Sequence, residues 1–83
     1  MAQAYVLINC DLGSEQDVIE DLKHIDTVKS IHGTFGAYDI IVKVKASTHE
    51  KLRESITWQI RKLDKVRSTL TLMTIEGQEY EVN

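Results

Sequence analysis

The stretch Thr27 to Lys45, TVKSIHGTFGAYDIIVKVK, decides the fold. Tyr38, Ile40, Val42 and Val44 alternate with Asp39, Lys43 and Lys45, the period of a strand with one buried face. Val28, Ile31 and Phe35 sit among Lys29, Ser30 and His32, a second strand from Thr27 to Phe35. Gly33 and Gly36 bracket Thr34 and Phe35, so the chain can turn there and join the two as an antiparallel hairpin.

Working outward from this hairpin, Ser14 to His24 reads as an amphipathic helix: Val18, Ile19, Leu22 and Ile25 recur at helical spacing, with Ser14 as N-cap and Asp17 in the first turn. Ahead of it, Gln3 to Cys10 is a short β-branched strand, apolar on both faces: Tyr5 and Leu7 on one, Val6, Ile8 and Cys10 on the other. Downstream, Ser47 or Thr48 caps a second helix whose Leu52, Ile56, Ile60 and Leu63 form a narrow stripe, with Trp58 well away from it. Val66 to Ile75 is a last strand, and Gly77 to Asn83 a polar tail. The order strand, helix, strand, strand, helix, strand predicts an α+β, ferredoxin-like βαββαβ sandwich of the dimeric α+β barrel type, one domain spanning residues 1–83.

Two helices cover one face of such a sheet. The first strand is apolar on both faces and the last alternates Leu70 and Leu72 with Met73 and Ile75, so the uncovered face would expose an apolar patch of roughly several hundred square ångströms. A second copy stacked there, in a two-fold dimer, is the expected cover; the tail Gln78 to Asn83 folded over it is the alternative. Tyr38 and Trp58 add apolar surface for assembly beyond a dimer. Self-association suits a chain of 83 residues, whose own core is small.

Composition excludes several function classes. Net charge is −3 and Lys and Arg are scattered, which argues against direct nucleic-acid binding. Arg61, Lys62, Lys65 and Arg67 cluster where they complement a helix C-terminus. One cysteine, Cys10, excludes an internal disulfide and reads as a core residue. No apolar run is long enough to span a membrane and no signal peptide is apparent, so a cytoplasmic protein is expected. His24, His32 and His49 could contribute to a divalent-metal site only by meeting in space or between subunits, because none has a close His or Cys within its element. No nucleophile–base signature or phosphate-cradling loop is present; His32 near Phe35 is the one feature that a cofactor-free dimeric α+β barrel enzyme would use. The expectation is no enzyme and no cofactor.

The run Val28 to Val44, with its Gly-x-Tyr-Asp turn at Gly36 to Asp39, resembles the C-terminal effector-binding (RAM) domain of the Lrp/AsnC family, and so does Ile60 to Leu72 with its Val-x-x-Thr-x-Thr at Val66 to Thr71. The resemblance covers nearly the whole chain. It implies a domain that dimerises through its sheets and assembles into rings such as octamers or decamers. Amino-acid effectors would lie between the dimers. On this sequence the implied ligand-binding positions are Gly36, Ala37, Tyr38, Asp39, Thr69, Thr71, Leu72 and Met73, with Arg61 added from the end of the second helix. Asp39 suits an α-ammonium, Gly36 a close backbone approach, and Thr69 and Thr71 offer hydroxyls. Family regulators carry an N-terminal helix-turn-helix, whereas the first strand here begins near residue 3. The reading is therefore a stand-alone effector domain linked to transcription regulation, acting through ligand sensing or by co-assembly with full-length Lrp/AsnC regulators. The alternative is a metal-binding oligomeric module.

Overall fold

A computed structural model describes residues 1–83 in full. Four strands, β1 (Ala2–Cys10), β2 (Val28–Gly33), β3 (Ile40–Ala46) and β4 (Val66–Met73), form one antiparallel sheet in the order β2-β3-β1-β4. Helices α1 (Glu15–Leu22) and α2 (His49–Ser55) cross between strands, giving the βαββαβ order expected from the sequence. The molecule is 18 Å along its thinnest direction, the depth of one sheet and one helix layer.

Strict alternation builds the core. Along β1, Ala2, Ala4, Val6, Ile8 and Cys10 are buried while each residue between them is only half-buried. Ile40, Val42 and Val44 of β3 bury the same face. Val18 and Leu22 of α1 close on it, with Leu52 of α2 and Ile56 and Ile60 beyond it. Ile19, Ile25 and Leu63, expected in the helical stripes, pack at the margin. Ser55 is the one buried polar residue; its hydroxyl bonds Thr27 Oγ1 at 2.6 Å and Gln59 Oε1 at 2.7 Å, so it enters the core with its partners supplied.

Two local expectations need revision. Thr48 caps α2 through the Lys51 amide at 3.1 Å, but Ser14 makes no side-chain cap on α1. Asp17 lies in the first turn as expected and also pairs with Lys65 Nζ at 2.5 Å. The second helix does not stay α-helical: Ile56–Ile60 is a π-helical turn, with Arg61 N–H donating to Ile56 O at 2.9 Å, five residues back.

The far face of the sheet remains open. Leu70 and Leu72 are 44% and 52% exposed and stand opposite Leu7 and Tyr5. The tail does not cover them: it lies beside Met1, Gln3 and Tyr5 at one corner, and Tyr80 and Val82 are themselves exposed. No helix is long and apolar enough to cross a membrane.

Candidate functional site

The hairpin tip is built by three backbone decisions. Gly36 adopts φ +133°, a region that side chains disfavour, so the turn requires glycine there. Thr34 closes the turn, its N–H donating to Asp39 O at 2.9 Å and its hydroxyl to Tyr38 O at 2.6 Å. Phe35 projects fully into solvent at the tip, so it forms no hydrophobic cleft around His32. Tyr38, expected within the strand, lies just ahead of β3 and is half-buried.

Asp39 is held on all sides. Its N–H donates to Ile8 O at 2.9 Å, and its Oδ2 accepts the Cys10 N–H at 3.1 Å, with the Cys10 thiol at 3.7 Å. Its carboxylate thus clips the hairpin to the end of β1. It borders a cleft of about 500 Å³ that also reaches Asn9, Glu15, Arg67 and Ser68. Burial, followed by the negative charges of Asp39 and Glu15, pushes the Cys10 thiol up, so it stays protonated at neutral pH. Asp39→Ala should cost about 1–3 kcal/mol by orphaning the Cys10 amide, and Asp39→Asn clearly less, because an amide oxygen still accepts. Chemical denaturation of both variants measures this; equal losses would remove the clip.

The other half of the expected site lies elsewhere. Arg61, Thr69, Thr71 and Met73 line a second cleft of about 670 Å³, between the helix layer and the edge strand β4. The α2 side is completed by His49, Arg53, Ile56 and Thr57. Thr69 and Thr71 stand opposite Ile8 and Val6, on the helix-facing side of the sheet. Leu72 does not join them. The period of two places it with Leu70 on the open face, opposite Tyr5. Within one chain, then, the turn residues Gly36, Ala37, Tyr38 and Asp39 do not line the cleft that holds Arg61, Thr69, Thr71 and Met73.

His49, Arg53 and Thr57 were not anticipated, although a signal existed: His49, Arg53, Thr57 and Arg61 recur every four residues along one helix. The three histidines do not meet. The one group of metal-ligating side chains drawn together is Cys10, Glu15 and Asp39, within 4.8 Å of one another.

Against known proteins, residues 3–79 match the family described as the Lrp/AsnC ligand binding domain. An uncharacterised HTH-type transcriptional regulator of Pyrococcus furiosus is 30% identical over 82 residues, covering 95% of this chain and 55% of the regulator. The chain spans about half the length of the curated relatives it matches. The crystal structure of a hypothetical protein from Pyrococcus horikoshii is 32% identical, with a TM-score of 0.86 and 100% of both chains covered. A crystal structure of a Neisseria meningitidis transcriptional regulator in complex with L-Met superposes with a TM-score of 0.83, over 95% of this chain and 53% of that one. At 10% identity the likeness to the Neisseria regulator is one of fold alone.

Proposed function

This chain belongs to the Lrp/AsnC ligand-binding domain family, and on that premise we propose that it is a self-assembling module, residues 1–83, that binds an amino acid or similar small molecule and serves transcription regulation without catalysis. The observation that carries the reading is the cleft between α2 and β4. It unites Arg61, Thr69, Thr71 and Met73, polar donors beside apolar walls, in a volume of about 670 Å³ suited to a small ligand. That a Neisseria regulator of the same fold holds L-Met supports the amino-acid class.

In the proposed assembly, two copies stack their open faces and bury Leu70 and Leu72, and such dimers close into a ring. The turn Gly36–Ala37–Tyr38–Asp39 of a neighbouring dimer then completes each cleft, consistent with its lining a different cleft from Thr69 and Thr71 in a single chain. Longer relatives of the family carry a matching segment, so co-assembly with them through the same face belongs to the proposal.

The test is a thermal-shift screen of the twenty amino acids on the native oligomer, with its mass measured in parallel. A ligand at one hundred times its Kd should add about 2.7 kcal/mol of stability. No shift with any amino acid at millimolar concentration would set the amino-acid reading aside.

A further inference from the structure

The charge of the α2–β4 cleft names the kind of ligand that the proposed reading leaves open. Three of its side chains are basic, His49, Arg53 and Arg61, and no carboxylate lines it. This imbalance occurs in a chain of net charge −3. The four ion pairs of the molecule use Met1–Glu76, Lys23–Glu20, Lys65–Asp17 and Arg67–Asp11, so neither Arg53 nor Arg61 has an acidic partner. Two guanidinium groups, permanently charged and shaped for bidentate contact with carboxylates, thus border one cleft that holds no carboxylate, the nearest to Arg53 being Glu50 and Glu54 in the adjoining depression. The remaining polar groups, Thr57, Thr69 and Thr71, are hydroxyls that can donate to the same oxygens.

A zwitterion with a neutral side chain matches this lining poorly. Its one carboxylate answers one guanidinium and leaves the other unanswered, and the Asp39 carboxylate that a neighbouring turn would bring to its ammonium already accepts the Cys10 N–H. A second carboxylate answers the second guanidinium. We infer that the cleft takes a dicarboxylate: an acidic amino acid or the corresponding 2-oxo acid. Arg53 and Arg61 set that preference, and the apolar walls, Ile56 and Met73, leave room for the short carbon chain between the two charges. The inference rests on the effector-binding reading and narrows it.

The experiment is isothermal titration of the native oligomer with L-glutamate, L-aspartate, 2-oxoglutarate, L-glutamine and L-leucine in a chloride buffer of fixed ionic strength. One dicarboxylate should bind roughly tenfold or more tighter than glutamine or leucine, the worth of one added charged hydrogen-bonding pair. Arg53→Met and Arg61→Met should each remove that advantage and keep the native far-UV circular dichroism, since both residues lie outside the buried core of the chain. Glutamate binding above 2-oxoglutarate assigns the ammonium a partner from a neighbouring copy; equal binding assigns it none, and both results support the dicarboxylate class. Tightest binding of glutamine or leucine, or a dicarboxylate advantage that survives both substitutions, overturns the inference and leaves the effector-binding reading standing. Binding by none of the five overturns the inference; the twenty-amino-acid screen then decides the broader reading separately.

Discussion

Leu52→Ala is expected to lower stability by about 2–5 kcal/mol, the largest effect of any single substitution considered. Leu52 is fully buried and lies between α2 and the sheet, in the same cluster as Val42, Val44 and Ile56. Truncation forfeits the transfer of the removed carbons and leaves a cavity that the surrounding β-branched side chains, stiff about χ1, refill poorly. Marginal stability of about 0.05–0.15 kcal/mol per residue sets the total for 83 residues at about 4–12 kcal/mol, so the loss is a large fraction of it. In a domain of this size it corresponds to a fall in Tm of about 8–40 °C. Denaturation should be compared at equal protein concentration, because association adds to apparent stability. Leu12→Ala is the control: Leu12 is 98% exposed, and its loss should stay within about 0.5 kcal/mol. Similar values for the two variants would mean that the core is not where the structure places it.

The second large effect concerns assembly. The double variant Leu70→Glu, Leu72→Glu should convert the proposed oligomer to smaller species, read as a drop in mass by light scattering. Both side chains lie on the open face, flanked by Leu7 and Tyr5 of β1. In a two-fold dimer each of the two substitutions occurs twice, so about 1 kcal/mol at each of the four sites becomes about 4 kcal/mol per interface. That is roughly a thousandfold in Kd before the repulsion of the added charges. The substitutions leave the helix-facing core untouched, so far-UV circular dichroism should keep its native shape. An unchanged mass with both glutamates in place would refute pairing through this face.

Most of the fold was legible because it rests on two periods. The alternation of Ile40, Val42 and Val44 identifies β3, and the Leu52, Ile56, Ile60 stripe identifies the second helix, without any tertiary information. What escaped was set by partners distant in sequence. Ser14 has the composition of a cap yet makes no side-chain cap bond, because composition does not determine which partner a hydroxyl meets. Asp17 pairs with Lys65, 48 positions away. The resemblance named Thr69, Thr71 and Arg61, which do share a cleft, and Asp39, whose carboxylate is engaged with the Cys10 amide elsewhere. Leu72 could have been separated from Thr69 and Thr71 by parity along the strand alone. Arg53 was readable too, four residues before Thr57 and eight before Arg61, but no position within the quoted motifs drew notice to it.

The π-helical turn at Ile56–Ile60 bears on how such a cleft diverges between related proteins. In an α-helix, residues four apart drift round the axis by about 40° per step, so His49, Arg53, Thr57 and Arg61 would fan out over about 120°. The wider turn takes up one additional residue, and this row still borders one cleft. Rewinding Ile56–Ile60 as α-helix with its length kept would swing Arg61 by about 100°, with no strand disturbed. The winding of this one turn, as much as the identity of the side chains, thus decides whether Arg61 reaches the cleft.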